Sequence, residues 1–254
     1  MNRRAKCIFV FLFMVSVRTT HATSLSFVNV AGSSVSATLP TTTTTSSATI
    51  CAWIYLRTTG AFRGIALSRA TGALQGILEN NPGTQIISAW DGSAAETTFN
   101  SGLFPALNKW YFIAAAFQGN GTNTYMIDQF GVVQSTFLAI NHGSRNITGL
   151  WYIGDDIAAV SRNLNGNICD VRVFSRTLSF NEILTLAAQP FYPLTDGLVA
   201  WWKCDNGDIG SQLGVAGTAI NDYSSQKINM AFTSPVVSTV AWVGNTPSGY
   251  RRRR

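Results

Sequence analysis

The sequence predicts an all-β sandwich with one short helix near residues 180–187, and three observations carry that prediction. The first is composition: 22 glycines, 11% aromatic residues and only 12% charged residues describe strands joined by tight turns rather than a helical or disordered chain. The second is periodicity. From Ile168 to Phe174, the residues Cys169, Val171 and Val173 alternate with Asp170 and Arg172, the period-2 pattern of a half-buried strand. The third is a helix start. Ser179 and Glu182 stand at capping-box spacing, and Phe180, Ile183, Leu184 and Ala187 then fall on one helical face. At 254 residues the chain has room for one large sandwich, since such folds often exceed ~200 residues as single domains.

Just upstream, Trp151-Tyr152-Ile153-Gly154 reads as an apolar strand closed by a glycine turn. The same order continues through Gly166, Ile168, Asp170, Val171, Arg172, Val173 and Phe174, then Arg176, Leu178, Ser179, Glu182 and Ile183. This succession resembles the end of the laminin G-like (LamG) jellyroll domains of the concanavalin A-like lectin/glucanase superfamily, with Cys169 where that family usually has an acid. The resemblance implies a two-sheet antiparallel jellyroll β-sandwich and runs from about residue 24 to 189. In chain order, Leu25-Ser26-Phe27 resembles the family's opening strand, and Thr49-Ile50-Cys51-Ala52-Trp53-Ile54 its Thr-Ile-Ser-Ala-Trp strand. Asn108-Lys109-Trp110 resembles the lead into an apolar strand, and Tyr125-Met126-Ile127-Asp128 a hairpin strand whose usual turn residue is replaced by Gln129.

The ends read differently from the body. Arg3, Arg4 and Lys6 precede the apolar run Cys7 to Val17, and Thr20-His21-Ala22 offers small residues for cleavage, so residues 1–22 are expected to be a signal peptide. The 11-residue run is shorter than the ~20 residues a bilayer span needs. Residues 23–190 form the expected LamG/concanavalin A-like domain, and 246–254 a flexible basic tail. Pro190 and Pro193 end the helix, and the apolar run from Gly197 to Lys203 opens residues 191–245. These residues are either strands completing the sandwich or a truncated second repeat; completion is favoured because Trp201, Trp202 and Trp242 would be costly to expose. Thr41 to Thr45 is expected to be a solvated loop or edge.

The formal charge of +6 belongs to the ends. Of 18 basic residues, eight are Arg3, Arg4, Lys6, Arg18 and Arg251 to Arg254, which leaves ten in the body against 12 acidic residues. A nucleic-acid surface needs basic residues spread over one face, so no nucleic-acid partner is expected. Beyond Cys7, the cysteines are Cys51, Cys169 and Cys204. The resemblance places Cys51 and Cys169 in strands of the same sandwich, which implies a Cys51–Cys169 disulfide if their Cα atoms approach within about 4.4–6.8 Å. The alternative is that both are small buried apolar groups.

Catalytic signatures are sparse. Glu79, Glu96 and Glu182 are isolated, Glu182 is explained as a helix cap, and none falls in the Glu-x-Asp-x-x-Glu strand of glucanase relatives. Beyond the leader, His142 is the one histidine, which argues against histidine metal clusters and a Ser-His-Asp triad. The resemblance implies a candidate Ca²⁺ site at Asp155 and Asp156, helped by Asn163, Asn165 or the Asp91 loop; the plainer reading is a solvated acidic turn. Trp90-Asp91-Gly92 is either a sugar-stacking platform or, as favoured, a turn beside a core tryptophan. Candidate ligand-binding residues are therefore Trp90, Asp91, Asp155, Asp156 and Asn165. The expected function is a secreted, non-catalytic module that binds carbohydrate or an extracellular protein surface. The alternatives are a structural or adhesive surface component and a glycan-cleaving enzyme.

Overall fold

The computed structural model describes residues 24–28, 34–40, 44–69, 74–80, 85–91, 98–159, 161–190, 192–205, 220–232, 240–244 and 246–247. The expected leader with Cys7, residues 41–43 of the threonine run, Gly92, Glu96 and the Arg251 to Arg254 tail lie outside the described residues.

The strands are β1 (Ser24–Phe27), β2 (Val35–Leu39), β3 (Ala48–Leu56), β4 (Arg63–Ser68), β5 (Gln75–Asn80), β6 (Gln85–Trp90), β7 (Thr98–Asn100) and β8 (Trp110–Gln118). They continue as β9 (Gly121–Asp128), β10 (Val133–Leu138), β11 (Gly149–Ile153), β12 (Gly166–Phe174), β13 (Leu198–Trp202), β14 (Ala231–Phe232) and β15 (Val240–Val243). One helix, α1 (Phe180–Ala188), follows β12. The first sheet runs β10-β9-β8-β3-β12-β1-β15, with β13 also on β12; the second runs β14-β2-β11-β4-β5-β6-β7. Neighbours pair antiparallel, for example β3 with β8 and β11 with β2, giving the two-sheet jellyroll sandwich the sequence predicts.

The near-continuous apolar runs of β3 (ATICAWIYL) and β8 (WYFIAAAFQ) suit strands covered on both faces, and they lie side by side in the centre of the first sheet. Between the sheets, Trp90, Trp151, Phe99 and Phe117 are fully buried, and Ser88 on β6 hydrogen-bonds Thr124 on β9 at 2.9 Å. Gly154 closes β11 with φ +84, and a Cβ there would lie 2.3 Å from the Phe27 ring, so the glycine of the Ile-Gly motif is dictated by packing as well as backbone. The capping box of α1 forms as its sequence predicts: Ser179 accepts from the Glu182 N–H while the Glu182 carboxylate accepts from the Ser179 N–H at 2.8 Å. Glu182 also pairs with Arg176 at 2.6 Å.

Two expectations need correction. Strand β12 is buried along its whole length, so Asp170 and Arg172 do not face solvent as a half-buried strand implies. They are covered by the segment that follows the helix: Trp201 Nε1 donates to Asp170 at 2.6 Å and Arg172 donates to the carbonyls of Tyr192 and Pro190, while β13 pairs with residues 171–174 of β12 and β1 with residues 166–168. The expected Cys51–Cys169 disulfide is not formed: the register sets Cys51 opposite Arg172 and Cys169 opposite Trp53, with a bulge between them. Both remain buried thiols, and burial pushes Cys51 up to about 12, which keeps it protonated and unreactive.

Candidate functional site

One end of the second sheet gathers three segments: the β3–β4 loop (residues 57–62), the end of β5 at Glu79 and Asn80, and the β11–β12 connection (residues 154–165). Arg63 faces Glu79 in the β4–β5 register. Gly64 lies directly against the connection, since a Cβ there would stand 2.1 Å from the Asp155 carbonyl. The connection folds back on itself through the Asp155–Asn163 bridge and through Ala159 and Arg162 N–H bonds to the carbonyls of Asp156 and Ala159. Gly64 then donates to the Arg162 carbonyl at 3.1 Å, tying loop to strand.

Asp156 is the hub. Its carboxylate accepts from Arg69 at 2.8 and 2.7 Å, from Arg162 at 2.7 Å and from the Ala158 N–H at 3.2 Å. Burial pushes its pKa up, but the hydrogen bonds from Arg69 and Arg162 outweigh it and hold the carboxyl below the ordinary value. Asp155, by contrast, is raised to about 6, first by burial and then by the neighbouring Asp156 charge, with Asn163 opposing. Its Oδ1 is buried without a hydrogen-bond partner. Beneath the loop, the fully buried Glu79 accepts from the Gly60 N–H at 3.2 and 3.3 Å. Burial raises it to about 7 despite that bond and the Arg63 charge.

Above these acids sits Phe62. Its φ of +52 is a left-handed conformation that a bulky residue rarely adopts. Its N–H donates to Asn80 Oδ1 at 3.3 Å, and the Arg162 guanidinium lies 4.9 Å from its ring centroid, a cation–π contact. Phe62 is 37% exposed and Ile157 in the adjoining connection 48%. An aromatic ring is thus held rigidly at the surface beside a guanidinium whose position is fixed by a buried carboxylate.

The residues singled out from sequence separate in space. Asp155 and Asp156 belong to this end. Asn165 contributes its carbonyl to the Arg57 N–H at 2.9 Å. Trp90 is fully buried against Phe117 and His142, which removes it as a sugar-stacking platform. Asp91 is also buried: Oδ2 accepts from the Leu74 N–H at 2.7 Å, and Arg145 donates to its carbonyl at 2.8 Å. Asp155 and Asp156 are buried as well, not a solvated turn. Calcium does not fit them either. Both oxygens of Asp156 are taken by guanidinium groups that would repel the ion, and among the described residues no three acidic, histidine or cysteine side chains gather as ligands. Phe62, Arg162 and Glu79 escaped the sequence reading as site residues. Phe62 left one trace, an aromatic in the glycine-flanked run Gly60-Ala61-Phe62-Arg63-Gly64.

A laminin G family model, described as the concanavalin A-like lectin/glucanases superfamily, matches residues 30–184. A proposed carbohydrate binding protein from Bacteroides ovatus ATCC 8483 superposes with a TM-score of 0.59 at 18% identity, over 88% of this chain and 60% of that one. This chain therefore spans less than two thirds of that protein. The native heptameric SAP-like pentraxin from Limulus polyphemus superposes with a TM-score of 0.52 at 11% identity, over 85% of this chain and 97% of that one. At these identities both show the fold alone. No curated protein sequence matches the chain. Among the described residues no helix is long and apolar enough to cross a membrane.

Proposed function

The chain belongs to the concanavalin A-like lectin/glucanases superfamily, and on that premise we propose that it is an exported, non-catalytic module that binds carbohydrate through the Phe62–Arg162 end of the sandwich. The observation that carries the proposal is the exposed Phe62 ring, held at positive φ beside Arg162. A sugar ring presents an apolar C–H face and a rim of hydroxyls. An aromatic side chain meets the first and a guanidinium, with its fork of N–H donors, the second. A strained, surface-exposed aromatic adds nothing to the core, so its position suits a ligand contact better than a packing role.

The non-catalytic reading rests on access. Glu79 is fully buried and Asp155 nearly so, whereas a glycosidase acid must touch the glycosidic oxygen and work with a second carboxylate across the scissile bond. Glu182 is committed to its helix cap and to Arg176. An extracellular protein surface rich in hydroxyls and carboxylates is the other partner this end suits.

A glycan array probed with residues 23–254, beside Phe62→Ala and Arg162→Ala, tests the proposal. Binding that both changes reduce at least tenfold supports it; binding that neither changes places the site elsewhere, and release of reducing sugar from an array-positive glycan would replace binding by catalysis.

A further inference from the structure

Five strands end the two sheets among the described residues, and they are unequal. Among the described residues β7, β14 and β15 span three, two and four residues, and the outer side of β13 meets Asp222 and Tyr223, whereas β10 spans six with its outer side unpaired by any described strand. Exposed sheet edges normally carry a charge, a proline or a bulge that discourages pairing with another chain. Gln129 to Ile140 contains no charged residue and no proline, and the β9–β10 register is unbroken from Val133 to Leu138. Along and beside this edge Phe130, Val132, Phe137 and Ile140 are 80%, 59%, 46% and 42% exposed.

The phase of the hydrogen bonds fixes what the edge offers. Asp128 donates to the Val132 carbonyl at 3.0 Å, and a Cβ on Gly121 would meet the Leu138 carbonyl at 2.4 Å. Both set Gln134, Thr136 and Leu138 as the residues bonded to β9. Alternation then turns the N–H and C=O groups of Val133, Ser135 and Phe137 outward.

We infer that this edge pairs with β10 of a second copy of the chain, antiparallel about a two-fold axis at Ser135. That register satisfies all three outward N–H and C=O pairs. It sets Val133 beside the partner's Phe137 on each side of the axis, with two small serines meeting at the centre, so the edge is complementary to itself. An isologous contact of this kind closes at two copies, because it uses the β10 edge of both. The side chains of Val133, Ser135 and Phe137 share the face on which Tyr125 stacks with Phe180 at 5.6 Å, which extends the apolar contact beside the strands. This pairing is independent of the glycan site.

Light scattering with size exclusion on residues 23–254 reads the outcome. The expected mass is that of two chains, and Ser135→Pro halves it while leaving the far-ultraviolet circular dichroism unchanged, because a proline here removes only an outward N–H. Ser135→Cys covers the case in which the proline variant does not fold. Directly opposed, hydrogen-bonded residues have Cα atoms about 5.5 Å apart, within disulfide range, so mild oxidation yields a covalent dimer from Ser135→Cys and none from Thr136→Cys. A single-chain mass at all concentrations, a dimer that Ser135→Pro leaves intact, or equal crosslinking by the two cysteine variants overturns the inference.

Discussion

Two buried aspartates among the described residues, Asp170 and Asp156, are paired with arginine, and the two clusters end in opposite states. Asp170 and Arg172 on β12 are fully buried, paired at 2.9 Å and 3.0 Å, and saturated by their surroundings. Trp201 Nε1 donates to Asp170 at 2.6 Å, Arg172 donates to the carbonyls of Tyr192 and Pro190, and its guanidinium lies 4.1 Å over the Trp201 ring. The Asp156 cluster has the same chemistry, yet its arginines keep 16% and 26% of their side-chain surface in solvent, and the Oδ1 of neighbouring Asp155 is left without a partner. A buried pair that spends four of the five guanidinium N–H donors inside the protein fastens one segment to another. A half-buried pair positions a guanidinium with donors to spare, which is what a binding site requires.

The largest expected effect comes from breaking the saturated pair. Arg172→Ala leaves Asp170 enclosed without its partner, and should lower the free energy of unfolding by about 3–5 kcal/mol, read as a reduced denaturant midpoint. Truncation at Gln189 removes β13 and Trp201 with it, and should abolish cooperative unfolding altogether.

Glu79 comes next. The folded chain holds it protonated up to about pH 7 whereas the unfolded chain releases the proton near its ordinary value of 4.5. The folded state therefore binds more protons in that window, and stability falls as pH rises from about 4.5 to 7, by on the order of 2 kcal/mol. Asp155 adds to the same slope between its ordinary 3.8 and about 6. Melts at stepped pH should show the decline in the native sequence and a flatter profile in Glu79→Gln.

Asp156→Asn should cost less, about 1–2 kcal/mol, because its arginine partners are partly solvated. It should nevertheless weaken glycan binding, since Arg162 loses its anchor. The smallest shift is expected from calcium. Adding Ca²⁺ or EDTA should leave the melting midpoint unchanged, whereas a rise with Ca²⁺ would mean that the ion displaces Arg69 and Arg162.

The contrast between the clusters also marks how far the sequence was legible. Fold class, α1 and its capping box could be read locally, because alternation and capping are short-range signals. Strand β12 was readable as a strand, but its polar face was taken as solvent-facing because its cover comes from residues 190–203, a relation no window around β12 contains. Asp155 and Asp156 were found as a pair of acids. Their meaning was hidden, since it depends on Arg69, which lies 87 positions away in the chain. Trp90 lies in the core, as the favoured reading has it, and its place among the candidate ligand contacts falls, because an aromatic before Asp-Gly looks the same in sequence whether it faces solvent or the core.

The most direct test is the dissociation constant of an array-positive oligosaccharide for the native sequence and for Phe62→Gly, measured beside their melting curves. Glycine relieves the strain at φ +52, so stability should hold or rise by up to about 1 kcal/mol while affinity falls at least tenfold. Affinity unchanged in a Phe62→Gly protein that melts like the native one would contradict a carbohydrate site at this end of the sandwich.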